Sequence, residues 1–393
     1  MKLIPRTAQK TLKKLAGSYP ALVVTGPRQS GKTTLVQMAF SDKLYVSLEE
    51  LDTREFAQED PRGFLNQYSD GAILDEVQRC PDLFSYLQSR IDTEKKMGQF
   101  ILTGSQQFGL ISGVSQSLAG RVAKVSLLPF SLHELQKAKK APKKLEDFLF
   151  KGQYPPVYDR NLDPRIWYNN YVDNYLERDV RQLINVRDLS AFQRFTRMCA
   201  ARTGQLLNLS SLASDCGITH NTAKAWISVL EASYIVYLLQ PHHKNFNKRL
   251  VKSPKLYFYD PGLVTWLLNI QTGEQLATHS TRGQIFETWV VSEFLKYRYN
   301  NALQSNLYFW RDNKGHEVDV LIEQASKLLP VEVKSGQTMA NDFLSSLKKY
   351  QSMAGDSSGQ GTLIYGGTRA QTRENINVVP WKQIHDLSSV LFR

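Results

Sequence analysis

The chain has 393 residues, of which 42% are hydrophobic and 22% charged. That is material for two or three domains with real cores, and it excludes disorder, collagen-like repeats or a coiled coil as the main architecture. The net charge is +12, but residues 1–135 carry only +2 of it (16 basic, 14 acidic), so a polyanion-binding surface is expected beyond them.

Met1–Leu15 is basic and polar and lacks the apolar stretch of a signal peptide. No apolar run reaches about 18 residues, so no membrane span is expected. Cys80, Cys199 and Cys216 are too scattered for a disulfide framework, and with no CxxC or HExxH spacing a zinc site is not expected. A cytosolic protein with reduced, buried thiols fits this usage. Residues 19–130 alternate short apolar β-rich runs with helical stretches. Ala21–Val24, Lys43–Ser47, Gly71–Leu74, Gln99–Leu102 and Val122–Leu128 read as strands, and Lys32–Phe40 as a helix. The pattern predicts an α/β unit with a parallel sheet and helices on both faces.

Between the first strand and its helix stands Gly26-Pro27-Arg28-Gln29-Ser30-Gly31-Lys32-Thr33-Thr34, which matches GxxxxGK[ST]. Glycines there let backbone N–H groups curl round a phosphate, and the helix N-terminus adds partial positive charge. These nine residues are the expected ATP-binding set; Arg28 also suits packing or an interface. Lys32 reaches the β- and γ-phosphates, and the Thr33 hydroxyl ligates Mg²⁺. Asp75 and Glu76 end the next buried strand. Asp75 is assigned to the metal and Glu76 to general base. Thr103, ahead of Ser105, is chosen to orient water or sense the γ-phosphate. Arg121 is a candidate for steadying transition-state charge, in cis or on a neighbouring subunit, which would require a homo-oligomer.

Residues 136–165 are charged and interrupted by proline, the mark of a domain exit, and 166–204 read as helices rich in aromatic residues and arginine. Leu207–Gly217 and Ile218–Leu230 form a helix pair. Trp226, Ile227, Val229 and Leu230 make its apolar face; His220, Asn221, Lys224 and Ser228 can face outwards. Tyr234–Leu239 and Lys255–Tyr259 alternate as a hairpin around the basic loop His242–Lys252. Helix, turn, helix, wing is the order of a winged DNA-binding module, which also serves as a dimer or domain contact.

Arg282–Tyr299 reads as a helix carrying Glu287. The strands Leu307–Trp310, Glu317–Ile322 and Leu329–Lys334 follow, then a helix over Met339–Met353 and strands at Gly361–Tyr365 and Ile376–Pro380. Residues two apart on a strand share a face, so Glu332 and Lys334 point together. With Asp319 opposite, two carboxylates and the Val333 carbonyl could bind Mg²⁺, Lys334 could orient or deprotonate a water, and Glu287 could complete the site. A plain salt bridge is the competing reading, set against the cost of burying these charges without a metal or partner.

The tracts TGPRQSGKT, ILDEVQ, ILTGS and SLAGR, with YFYDPGL, GQIFETWVVSEFL, FWRDNKGHEVDVLIE and LLPVEVKSG, resemble the bacterial and archaeal AAA-type ATPases that carry a C-terminal domain of unknown function. The resemblance covers nearly the whole chain. It implies a P-loop ATPase domain over 1–135, a helical linker or lid over 136–187, a winged-helix domain over 188–280, and a restriction-endonuclease-like α/β domain over 281–393. That last domain is similar to the PD-(D/E)xK nucleases, whose metal site falls here on Asp319, Glu332, Lys334 and Glu287; the proline of the PD pair is replaced by Val318. The expected function is a Mg²⁺-dependent ATPase coupled to a DNA-binding, DNA-cleaving C-terminal region. The alternative is an ATP switch or transcriptional regulator whose nuclease-like domain does not cut.

Overall fold

The structure is a computed structural model that describes residues 3–105, 118–176, 188–242 and 251–392. These form two compact units. The first comprises Met1–Phe130, Ala232–Tyr234 and Arg298–Gln304; the second comprises Ser131–Glu231, Ile235–Tyr297 and Ser305–Arg393.

In the first unit, β1 (Ala21–Thr25), β2 (Leu44–Ser47), β3 (Ala72–Asp75), β4 (Phe100–Gly104) and β5 (Val122–Ser126) form a parallel sheet in the order β2-β3-β4-β1-β5. The order explains the composition. β1, β3 and β4 lie inside the sheet and every residue in them is buried, whereas the edge strands β2 and β5 carry exposed positions. Alternate residues serve alternate faces. Ala21 and Val23 join Phe64, Phe84 and Leu87 in one apolar cluster. Leu22 and Val24 join Leu12, Leu35 and Val36 in the other. Helices α1 (Ala8–Ala16) and α2 (Lys32–Ala39) supply the second cluster; α3 (Leu51–Glu59), α4 (Pro61–Asn66) and α5 (Leu83–Glu94) supply the first.

The second unit begins with short helices between 132 and 171. It continues with α6 (Leu189–Ala201), β6 (Gln205–Leu206), α7 (Leu209–Cys216), α8 (His220–Ala232), β7 (Val236–Leu239) and β8 (Lys255–Phe258). Asn208 caps α7 by accepting from the Ser211 amide at 3.0 Å, and Gly217, at φ 67°, ends it in the left-handed region that glycine tolerates. The Trp226 ring meets Phe192 and Phe195 edge-on at 5.3 and 5.2 Å, which locks α8 onto α6. The three strands form an antiparallel sheet ordered β6-β8-β7. Most of the expected basic loop, 243–250, lies outside the described residues, as do 106–117 and 177–187.

Next come α9 (Arg282–Asn300), β9 (Leu307–Arg311), β10 (Glu317–Gln324), β11 (Lys327–Lys334), α10 (Ser345–Ala354), β12 (Thr362–Tyr365), β13 (Gln371–Arg373), β14 (Ile376–Pro380) and α11 (Ile384–Leu391). The strands make a six-stranded sheet ordered β13-β14-β12-β11-β10-β9. β9, β10 and β11 are antiparallel neighbours, while β11, β12 and β14 run parallel. The helix expected from Met339 starts later, because Asn341–Leu344 form a 3-10 turn. Asn and Asp compete for backbone hydrogen bonds and so favour turns over helix interiors.

Cys80, Cys199 and Cys216 are free, buried thiols. Among the described residues no helix is long and apolar enough to cross a membrane. Trp226→Ala empties the contact between α6 and α8 and is expected to cost about 3–5 kcal/mol; chemical denaturation followed by tryptophan fluorescence measures it.

Candidate nucleotide site and a buried charge cluster

The loop after β1 turns on two glycines. Gly26 has φ 146°, and a Cβ there would stand 2.1 Å from the Leu127 carbonyl oxygen; Gly31 has φ 90° and precedes α2. No side chain fits the first position, so backbone lines the loop. Lys32 is buried, and its ammonium donates to the carbonyls of Gly26 at 3.1 Å and Pro27 at 2.9 Å. Among the described residues, the fully buried Ser30 hydroxyl has no hydrogen-bond partner. Behind the loop, Arg6 donates to the carbonyls of Ser30 at 2.7 Å and Leu128 at 2.6 Å, with its guanidinium 4.9 Å from the centre of the Phe130 ring.

Asp75, at the end of β3, is the hub. It accepts from the Thr33 hydroxyl at 2.9 Å, from the Tyr45 phenol at 2.7 Å and from the Thr103 hydroxyl. Burial, with the hydrogen bond to Asp75 next, raises the Tyr45 pKa. Thr103 was expected to face the reaction. Instead its hydroxyl is fully buried against Asp75, and Ser105 is the residue that reaches Glu76, at 3.2 Å. Glu76 also accepts from Gln78 at 2.5 Å. It sits at φ 55°, a strained conformation for a residue with a side chain, which turns it out of the strand.

The structure corrects the in-cis role of Arg121. Its carbonyl accepts from the Ala21 amide at 3.3 Å, so it lies where β1 begins, at the opposite end of that strand from Gly26. There it pairs with Asp92, at 2.5 and 2.8 Å.

Sequence patterns missed one further contact. Tyr234, in the Ala232–Tyr234 segment of the first unit, places its buried hydroxyl 2.6 Å from Thr25 Oγ1 and 3.1 Å from Ser126 Oγ. Thr25 ends β1 directly before the loop, and Ser126 ends the neighbouring β5.

In the second unit, His220, Asn221, Lys224 and Ser228 are all exposed along α8, and Ser228 donates back to the Lys224 carbonyl at 3.1 Å. Trp226, Ile227, Val229 and Leu230 are buried on the other side.

The acidic residues of β10, β11 and α9 gather in a different way from that expected. Asp319 lies within an irregularity of the β9–β10 ladder, between Val318 and Leu321. Its carboxylate accepts from the Val333 amide at 2.8 Å. Glu332 pairs with Lys334 at 2.7 Å, and its second oxygen is buried with no hydrogen-bond partner among the described residues. The centre of the group is Lys255, the first residue of β8. Its ammonium lies 3.0 Å from Glu287, in contact with Glu317, and 3.9 Å from Asp319. Tyr257 donates to the same Glu287 oxygen, and Arg311 holds Glu317 at 3.0 Å.

Burial, then the charges of Glu332 and Glu287, push the Asp319 pKa well up; burial also raises that of Glu332, against the pull of Lys334. For Lys334 burial acts downwards, but Glu332 and Asp319 outweigh it and the pKa is raised. Among the described residues no three His, Cys, Asp or Glu side chains are disposed to hold a metal ion. On the expected ligands Asp319 and Glu332, the groups present are the Val333 amide and the Lys334 ammonium.

Residues 18–136 match the family described as AAA domain. Residues 142–274 and 282–384 match two domains of unknown function, DUF8612 and DUF4143. The first unit is thus an AAA-type P-loop domain, of the class that binds and hydrolyses ATP. Two curated proteins, uncharacterized protein Rv2008c of Mycobacterium tuberculosis and uncharacterized protein Mb2031c of Mycobacterium bovis, are each 30% identical over 338 residues, 85% of this chain and 74% of theirs. The chain belongs to one family with them. Among solved structures it is similar to the Walker-type ATPase paby2304 of Pyrococcus abyssi, with a TM-score of 0.46 and 15% identity over 68% of this chain and 96% of that one. It is also similar to AMPPCP-bound DnaA of Aquifex aeolicus, with a TM-score of 0.28 and 14% identity over 57% of this chain and 85% of that one.

Two substitutions separate the contacts around the loop. Thr103→Val removes a buried donor to a carboxylate and is expected to cost about 1.5–3 kcal/mol, whereas Tyr234→Phe breaks neutral hydrogen bonds and is expected to cost about 0.5–1.5 kcal/mol. Urea unfolding of both variants tests that order.

Proposed function

We propose that the chain is a Mg²⁺-dependent ATPase that couples nucleotide turnover to DNA binding by its second unit. The observation that carries the ATPase reading is the 2.9 Å contact between Thr33 and Asp75 beside a loop whose first position, Gly26, admits no side chain. Thr33 and Asp75 would hold Mg²⁺, which supplies charge neutralisation on the phosphates. The unpartnered Ser30 hydroxyl and the Lys32 ammonium are groups of the kind a triphosphate satisfies. Glu76 takes the proton of the attacking water, with Gln78 and Ser105 fixing its carboxylate. Thr103 positions Asp75 and does not touch the reacting atoms.

Support for DNA binding comes from the order α6-β6-α7-α8-β7-β8, which is that of a winged helix, and from the exposed polar row on α8. The +10 excess outside residues 1–135 adds to it. His220, Asn221, Lys224 and Ser228 are the proposed contacts. The order α9-β9-β10-β11-α10-β12 fits the PD-(D/E)xK architecture. We read that domain as a binding and organising element, because Lys255 stands among its carboxylates; cleavage of branched or foreign DNA by Glu287, Asp319, Glu332 and Lys334 is the reading set aside.

Steady-state ATPase assays and nucleotide titrations test the first part. Lys32→Ala is expected to weaken ATP binding by more than tenfold, and Glu76→Gln to bind ATP yet hydrolyse it at least 100-fold more slowly, a base contributing about 10²–10⁴. Normal turnover by Glu76→Gln overturns the base assignment. Fluorescence anisotropy with duplex DNA tests the second part. Asn221→Ala with Lys224→Ala should weaken binding and flatten its salt dependence by about one released counterion; unchanged affinity removes α8 from the interface.

A further inference from the structure

We infer that Lys255 is the resident cation of the second unit's carboxylate cluster, standing where a divalent metal would otherwise bind and closing that position to one. The ammonium is almost fully buried and touches carboxylates from two separate elements: Glu287 of α9, and Glu317 and Asp319 of β10. Carboxylates converging from a helix and a strand on one buried point are what a hard cation requires. Here the convergence point is filled by a covalently attached cation.

The charges close the account. Each carboxylate of the group lies within ion-pair distance of a cation of this chain: Glu287, Glu317 and Asp319 of Lys255, Glu317 also of Arg311, and Glu332 of Lys334. A dication arriving at Asp319 would face an ammonium 3.9 Å away across the same carboxylate. Glu332 keeps one unpartnered buried oxygen, but it is one ligand, and its other oxygen is held by Lys334. Lys255 also opens β8, the central strand of the β6-β8-β7 sheet, so the cation comes from one sheet and the carboxylates from the other sheet and α9. Within the second unit the cluster therefore acts as a joint, and phosphodiester cleavage through a metal at Asp319 is not among its activities. This inference deepens the reading of the second unit and does not depend on ATP turnover.

The test is binding of Mn²⁺ to the full chain without nucleotide, read as free Mn²⁺ by electron paramagnetic resonance. Wild type and Asp319→Asn are expected to bind equally. Lys255→Ala is expected to gain one Mn²⁺ per chain and a higher melting temperature in Mn²⁺, and Lys255→Ala with Asp319→Asn to lose both. A wild-type site that disappears with Asp319→Asn overturns the inference. So does a folded Lys255→Ala chain that gains no site. If Lys255→Ala does not fold, comparing wild type with Asp319→Asn and with Glu332→Gln decides: loss of a site in either refutes the inference, and equal binding by all three upholds it. Failure of ATP binding would show in the Lys32→Ala comparison and leave these Mn²⁺ readings unchanged.

Discussion

The first unit depends on one carboxylate. Asp75 ends β3 with three hydroxyls on it: Thr33 from the helix after the glycine loop, Tyr45 from the edge strand and Thr103 from the neighbouring strand. A buried carboxylate is expensive unless its lone pairs are filled, and donated hydroxyls fill them without adding charge. The same bonds fix the loop helix to three strands. A cation that enters beside Thr33 thus finds the carboxylate already aligned, with little to reorganise. Arg6 and Tyr234 extend the principle to the back of the loop and to the ends of β1 and β5.

The second unit uses charge in the opposite manner. Its acids are neutralised from within, by Lys255, Lys334 and Arg311. Buried ion clusters contribute little net stability, because desolvation offsets the attraction, but breaking one member is costly. Such clusters select one arrangement over others. Here the arrangement selected joins the strand β8 to the helix α9 and the strand β10. The two units of one chain thereby show two uses of buried carboxylates: one held by hydroxyls beside the glycine loop, the others paired with cations of the chain.

Much of this was legible in the residues. β1, β3 and β4 announce themselves because a strand buried on both faces must be apolar throughout. The glycine loop is legible because only glycine fits at Gly26. The helix pair with Trp226 inward is legible from 3.6-residue spacing. What escaped depends on pairing across distance. Lys255 lies 32 residues from Glu287 and 62 from Glu317, so nothing local marks it as their counter-ion, although a lysine at the head of the apolar strand Lys255–Phe258 was a signal that a buried partner exists. Thr103 and Ser105 are two apart and chemically alike; only the strand's orientation decides which meets Asp75. Arg121 stands just before the strand read at Val122–Leu128, so in a parallel sheet the sequence already puts it at the end away from the loop that follows β1. β13, three polar residues at a sheet edge, carries no apolar signature at all.

The central claim is that a Mg²⁺-bound triphosphate occupies the loop at Gly26–Thr33. Isothermal titration of ATP into the purified chain, with Mg²⁺ and with EDTA, tests it most directly. One site per chain, weakened at least tenfold by removing Mg²⁺, is the predicted result. No binding in Mg²⁺ buffer, or binding indifferent to the metal, contradicts the claim.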